Sequence, residues 1–232
     1  MNTLIQDIRF GLRMLLKSPS ISIVATIALA LGIGANTAIF SVVNAVLLRP
    51  LPFPDSNKLV ALFEADTQRG LVRGSHSYPN FMDLRAQNTV FERLSSYHGS
   101  DYILTGRGEP ARIQGLVATA DLFPLLGVQP LLGRTFLPEE DKPSENGRVA
   151  ILSEQLFRKR FNSDPSILNQ SITLDGRPFT VVGVMPASFE FPIQNEPVEL
   201  WTTIAGDASG EDPMTGARGA HFLQVIGRLK PG

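Results

Sequence analysis

Three histidines, His76, His98 and His221, are the only imidazoles in a 232-residue chain that contains no cysteine. Zinc sites draw on Cys and His at short recurrent spacings, and none of these histidines stands at such a spacing from another or from a carboxylate. Without Cys, neither a disulfide nor a thiolate metal site is available, and redox chemistry does not indicate a compartment. The nucleophile and metalloprotease patterns G-x-S-x-G, H-E-x-x-H and S-x-x-K do not occur in a fitting context. Glu139, Glu140 and Asp141 supply carboxylates of the kind Ca²⁺ accepts. No Asp/Asn-Gly loop accompanies them, so a solvated charged turn is expected there. The phosphate-cradling G-x-x-x-x-G-K-[ST] is missing, so the chain cannot hold ATP through a P-loop. The expectation is a protein that is not an enzyme, with no catalytic residue, no cofactor and no metal.

The element that must position everything else lies near the start. From Ser18 to Leu48 no side chain is charged, and Ile, Val, Ala and Leu dominate. Crossing about 30 Å of hydrocarbon takes roughly 20 apolar residues at 1.5 Å each. Residues 20–48 are therefore expected to form one transmembrane helix. A cleaved signal peptide has an apolar stretch of about 7–15 residues, and this one is about twice too long. Residues 1–19 precede it as an amphipathic segment: Leu4, Leu15, Ile8, Leu12, Ile5 and Leu16 share one arc, with Phe10 and Met14 outside it. Such a helix is expected in the membrane interface, with Arg9, Arg13 and Lys17 as its membrane-interface basic residues; the alternative is that it forms the first cytoplasmic turns of the spanning helix. Ser18-Pro19 is expected to break the chain between the two helices.

Within the span, small residues recur at four-residue spacing, Ala28, Gly32 and Asn36 on one stripe and Ala30, Gly34 and Ala38 beside it. In lipid such stripes let helix backbones approach, and an Asn amide can hydrogen-bond across the contact. Gly32-Ile33-Gly34 lies inside the apolar run with no preceding strand, so it is not a nucleotide loop.

Net charge is −1, divided as +2 over residues 1–17 and −3 over residues 49–232. The mildly acidic larger part has no basic patch and gives no reason to expect nucleic acid. Three Lys/Arg flank the span on its N-terminal side against Arg49 and Lys58 beyond it, which mildly favours a cytoplasmic N-terminus. The 184 residues after position 48 suffice for a domain with a core of its own.

Those residues alternate between strand and helix patterns. Pro50, Pro52 and Pro54 begin an extended linker, and Lys58–Ala65 is expected as a first strand. Ser77 should cap a helix opened by Pro79, with Phe81, Leu84, Phe91 and Leu94 on its apolar face. Ala111–Ala118 reads as a strand, and Thr119 or Asp121 begins a helix that Gly127 stops. Arg148–Leu152 is a buried strand, and Ser153 caps a helix over Glu154–Phe161. Asp175-Gly176 turns a hairpin between Ile172–Leu174 and Phe179–Val184. Leu200-Trp201 and Phe222–Leu229 give late strands, with a mobile loop expected over Gly206–Gly219. The fold class is α+β.

Several of these segments, in this order, resemble one family over nearly the whole chain. Asp7-Ile8-Arg9 through Lys17-Ser18-Pro19, Leu29–Ser41 (LALGIGANTAIFS) and Leu48-Arg49-Pro50-Leu51-Pro52 resemble the opening of MacB-like ABC transporter permeases. The resemblance is to the acidobacterial-type (ADOP), FtsX-related subgroup. Tyr78-Pro79-Asn80-Phe81, Leu126–Pro130, Gly133–Phe136, Leu174-Asp175-Gly176, Val181–Pro186 and Arg228–Gly232 extend it. It implies that residues 49–232 form an extracytoplasmic MacB-like periplasmic core domain anchored in the bacterial cytoplasmic (inner) membrane, with the N-terminus in the cytoplasm. Relatives continue past the position of Gly232 into three more helices, so an N-terminal permease fragment is expected.

The resemblance further implies efflux or mechanotransmission energised by a separate P-loop ATPase subunit. The partners it brings are that ATPase, the remaining permease helices, a second permease copy, membrane lipid and a transported substrate of unknown class. The alternative reading is a single-pass, membrane-anchored extracytoplasmic binding or sensor domain.

Overall fold

This computed structural model describes residues 3–44, 51–66, 70–106, 108–142, 148–204 and 214–231. The chain divides into two compact units, Met1–Leu51 and Pro52–Gly232.

The first unit holds two helices, α1 (Thr3–Lys17) and α2 (Pro19–Val43). Ser18 leaves helical geometry at φ −129° and ψ 69°, and Pro19 opens α2, as the steric restriction before proline dictates. Ser22 Oγ donates back to the Leu15 carbonyl oxygen at 2.7 Å, closing the junction. Over Pro19–Ser41, 23 residues, α2 has no buried residue. At 1.5 Å per residue that stretch is about 35 Å long. Thr26 and Thr37 hydroxyls donate to the carbonyls of Ser22 and Ile33, at 2.7 and 2.8 Å. They thus satisfy themselves within the helix, as an apolar solvent requires. The remainder of the 20–48 span, from position 45, lies outside the described residues.

The second unit is built on one mixed sheet. Its strands are β1 (Leu59–Leu62), β4 (Phe91–Thr105), β5 (Ala111–Ala118), β6 (Leu132–Gly133), β7 (Val149–Ser153), β8 (Ser171–Leu174), β9 (Arg177–Met185), β10 (Leu200–Thr203) and β11 (Gln224–Leu229). The order is β1-β11-β4-β5-β10-β7-β9-β6, and β8 pairs with both β4 and β9. Six strands, β4-β5-β10-β7-β9-β8, therefore close on themselves. β2 (Glu64–Asp66) and β3 (Leu71–Gly74) form a separate hairpin. Three helices attach to this framework, α3 (Tyr78–Ala86), α4 (Leu122–Leu126) and α5 (Glu154–Phe161).

Local chemistry sets the boundaries. Ser77 Oγ accepts from the Asn80 N–H and Ser153 Oγ from the Leu156 N–H, caps worth about 1 kcal/mol each. Gly127 ends α4 at φ 70°. Asp175 and Gly176 have φ 47° and 74°, the positive pair a type I′ hairpin demands. Leu122, Phe123 and Leu125 of α4 are fully buried together with Trp201 of β10. Leu104, Leu152, Val181 and Leu200 pack with α5 in a second cluster, and Phe81, Val117 and Leu223 in a third under α3.

Two local expectations need correction. Phe91 and Leu94 do not extend the face of α3 but begin β4. Asn88 Oδ1 accepts from the N–H groups of Val90 and Phe91 at 3.0 and 2.7 Å, a side-chain turn that replaces helical bonding. The first strand pattern breaks at Phe63, so Lys58–Ala65 supplies β1 and the start of β2. Most of the loop expected over Gly206–Gly219, up to position 213, lies outside the described residues; Met214–Gly216 is a 3-10 turn.

Candidate functional site

The basic residues Arg9, Arg13 and Lys17 are exposed on α1, as are Phe10 and Met14. Ala28, Ala30, Gly32, Gly34, Asn36 and Ala38 are likewise exposed along α2. A Cβ at Gly32 or Gly34 would meet nothing within 4 Å. Both stripes are thus open to any helix that packs against them.

Where the chain enters the second unit, Pro52–Asp55 is held tightly. Phe53 is buried against Phe189 and Phe191, with ring centroids 6.4 and 6.2 Å away. Arg228 of β11 is itself buried and donates three ways: Nε to the Leu125 carbonyl at 2.6 Å, and Nη2 and Nη1 to the Pro54 and Asp55 carbonyls at 2.9 and 3.5 Å. One guanidinium therefore ties the entering segment, the last turn of α4 and a late strand together. Only the planar fork of arginine supplies donors in this arrangement. No residue near Arg228 in the chain signals it, because the carbonyls belong to residues more than 100 positions away.

The acidic run is not a solvated turn. Glu139–Asp141 belongs to a 3-10 turn in which Glu140 and Asp141 are buried. Arg134 grips Glu140 through two bonds of 2.6 and 3.0 Å, and Glu140 also accepts from the Leu137 N–H. Asp141 Oδ1 accepts from the Ala120 N–H at 2.8 Å, and Arg85 lies 3.9 Å away. Burial pushes the Asp141 carboxyl up to about 7; the Ala120 N–H and Arg85 oppose it, while Asp121 and Glu140 add to it. Burial, then Asp141 itself, raises the neighbouring Tyr78 hydroxyl.

Two of the histidines, distant in sequence, meet at one carboxylate. Glu64 Oε1 lies 3.3 Å from His76 Nδ1, and Oε2 lies 3.0 Å from His221 Nδ1. Asn80 Nδ2 donates to Oε1 at 2.8 Å, and Arg218 bridges Asn80 Oδ1 and Asp83, both at 2.7 Å. His98 lies elsewhere, edge-on to Phe222 at 5.1 Å. Among the described residues no group of three or more His, Asp or Glu is arranged to hold a metal ion. The cluster instead fastens β2, α3 and the segment before β11. Spacing along the chain could not reveal it.

The fold has known counterparts. Residues 22–232 match the model of the MacB-like periplasmic core domain. No curated protein matches the chain significantly. Among solved structures, a domain of a protein described as a permease, from Porphyromonas gingivalis, aligns with TM-score 0.57 at 16% identity, covering 78% of each chain. The extracellular domain of the noncanonic ABC-type transporter YknZ from Gram-positive bacteria aligns with TM-score 0.53 at 15% identity, over 75% of this chain and 84% of that one. The periplasmic region of MacB from Actinobacillus actinomycetemcomitans gives 0.51 at 13% identity, over 74% and 73%. At such identities the likeness is one of fold, and it includes the sheet-rich unit that follows an apolar helix here. With the family model covering all but the first 21 residues, the chain belongs to the MacB-like periplasmic core domain family of ABC-type transporter permeases.

Proposed function

We propose that this chain is part of the permease of an ABC-type efflux or mechanotransmission transporter, energised by a separate P-loop ATPase. The observation that carries the reading is the junction of two features in one polypeptide. An apolar helix with no buried residue over Pro19–Ser41 stands at the start of a match to the MacB-like family that runs from residue 22 to residue 232. A helix apolar on every face needs apolar surroundings, and lipid supplies them.

In this reading α2 crosses the cytoplasmic membrane and α1 lies along its inner interface, with Arg9, Arg13 and Lys17 at the headgroups. Residues beyond the span face outward. The stripes Ala28/Gly32/Asn36 and Ala30/Gly34/Ala38 pack against other permease helices, in the same subunit or a second copy. The clamp of Arg228 on Pro54 and Asp55 fastens the first residues of the second unit to its sheet.

The test is purification of the tagged chain from its own membrane in mild detergent. A co-purifying P-loop ATPase whose hydrolysis rate depends on the chain is the expected result. Recovery without an ATPase, together with a phenotype indifferent to loss of any such subunit, would favour an anchored sensor or binding domain.

A further inference from the structure

Strand β4 has an open stretch along one side. Away from β5, its pairing with β11 ends where Tyr97 faces Gln224, and its pairing with β8 begins where Leu104 faces Leu174. Among the described residues no strand pairs with this side of β4 over residues 98–103, about 20 Å of chain. The direction of the backbone groups there follows from β5. Gln114 turns toward the segment entering β10, donating its N–H to Glu199 Oε2 at 3.4 Å and accepting from the Glu199 N–H at 2.8 Å. Asp101 faces Gln114, and facing residues of an antiparallel pair either exchange both bonds or both turn away. The N–H and C=O of Asp101 therefore point to the open side, as do those of Gly99 two residues back. Ile103 obeys the same alternation and is closed off: its N–H donates to Asp175 Oδ1 at 2.8 Å, and its carbonyl accepts from the Asp175 N–H at 3.0 Å.

Gly99 is the distinguishing residue of the open stretch. A glycine inside a strand weakens it, and it marks places where a ligand or another backbone comes close. The neighbouring glycines have a packing reason. At Gly115 a Cβ would stand 2.5 Å from the Ser100 carbonyl and 2.6 Å from the Tyr102 ring, and at Gly227 it would meet Phe91 at 2.7 Å. At Gly99 it would meet nothing within 4 Å, and φ is not in the left-handed region. Among the described residues nothing demands glycine there. On the face that Gly99 shares with Tyr97 and Asp101, a hollow of about 400 Å³ opens, walled by Leu116, Pro192 and Gln224.

We infer that residues 99–101 of β4 take up an uncharged, extended segment of another polypeptide as an added antiparallel strand, with an aromatic side chain opposite Gly99. Paired N–H and C=O groups repeating along a strand are matched by a second backbone, the basis of recognition by strand addition. The open stretch is a notch, bounded by Gln224 at one end and by Asp175 at the other. A whole sheet edge, including the same notch of a second copy, is too broad to enter it, whereas a single segment of about five residues fits its length. Facing residues project to the same side, so the side chain opposite Gly99 enters the hollow beside Tyr97. An aromatic ring there covers the bare glycine, a pairing known to rescue glycines in strands. Unbalanced charge commonly blocks open strand edges; here the carboxylate of Asp101 is paired with Arg112. This assignment does not depend on the transport reading.

The experiment is titration calorimetry on the full chain in lipid nanodiscs with the capped peptide acetyl-Thr-Val-Thr-Phe-Thr-amide, whose valine and phenylalanine would face Asp101 and Gly99. It should bind with Kd near or below about 1 mM. N-methylation of the phenylalanine, whose N–H would point at β4, should weaken binding at least about tenfold, and N-methylation of the central threonine, whose N–H would point to solvent, less than about twofold. Hydrogen exchange over residues 98–103 should slow only when the peptide is bound. Asp101→Pro removes a donor on the open side, where proline is tolerated, and should weaken binding about tenfold; if that variant melts lower than the parent, the two methylated peptides decide. No peptide binding up to about 10 mM, equal binding of the two methylated peptides, or slow exchange over residues 98–103 before any peptide is added would overturn the assignment.

Discussion

Arg228 Nε donates to the Leu125 carbonyl at 2.6 Å, joining a strand near the end of the chain to the last turn of a helix 103 residues earlier. A helix leaves its final carbonyls without internal partners, and a cation there also opposes the negative end of the helix dipole. The same guanidinium reaches Pro54 and Asp55, so three segments share one buried charge. Removing it leaves the buried Leu125 carbonyl unpaired, which costs about 1–3 kcal/mol, whereas the carbonyls of Pro54 and Asp55, both exposed residues, can turn to water.

Arg228→Met is therefore expected to destabilise the second unit by about 1–3 kcal/mol, read as a lower chemical-denaturation midpoint. Arg228→Lys should recover only part of that loss, because a single ammonium cannot span the three carbonyls. Limited proteolysis should cut near Pro52–Asp55 faster in both variants. Equal stability of the lysine variant and the parent would show that the fork geometry is irrelevant.

Asp141 gives a pH dependence with a definite sign. Its folded-state value is raised from 3.8 to about 7, so the neutral carboxyl is the form the fold prefers. The contribution to stability is full below about 4 and is lost as pH rises through about 7. Asp141→Asn keeps an acceptor for the Ala120 N–H and cannot ionise. Stability of the variant relative to the parent should climb between pH 4 and 8, by at most about 4 kcal/mol. Urea melts at pH 4, 6 and 8 measure this; a constant gap would contradict it.

Gly176 sits at φ 74° in the turn between β8 and β9. A β-branched side chain is strained there by roughly 1–2 kcal/mol, with no crowding to add, since a Cβ would meet nothing within 4 Å. Gly176→Val should lower the melting temperature of the second unit accordingly, whereas Gly176→Asn should be nearly silent. Unchanged melting of the valine variant would contradict the turn assignment.

Gly32→Leu bears on assembly rather than on folding. Its position in α2 is open within the chain, so helix content should not fall. Close approach of a second helix along the Ala28/Gly32/Asn36 stripe would be blocked, and disulfide or chemical cross-linking between permease helices in the native membrane should drop several-fold. Undiminished cross-linking would place the contact on another face.

Much of the framework was legible because local rules governed it. Ser153 before an acidic first turn, Gly127 after Leu126, and Asp175-Gly176 between apolar runs each fix a boundary through the residue's own backbone chemistry. β5 was legible over its full length as Ala111–Ala118. β4 was not, because Ser95 through Asp101 is mostly polar or small, and its strand state comes from pairing with β11 up to Tyr97 and with β5 from Tyr97 onward. The acidic run was misread for a similar reason. Arg134, six residues away, and the Ala120 N–H turn two of its carboxylates inward, and neither partner is visible in the run itself. The meeting of His76 and His221 at Glu64 depends on three segments folding together, which no spacing encodes.

The central claim is that α2 lies in lipid with the sheet-rich unit beyond it. The chain has no cysteine, so single cysteines report position without interference. Val72→Cys places a thiol at one of the most exposed positions of the second unit, and Lys17→Cys places one at the end of α1. In intact spheroplasts a membrane-impermeant maleimide should label Val72→Cys at once and Lys17→Cys only after detergent is added. Protection of Val72→Cys with labelling of Lys17→Cys, or recovery of the folded chain from the soluble fraction without detergent, would contradict the account.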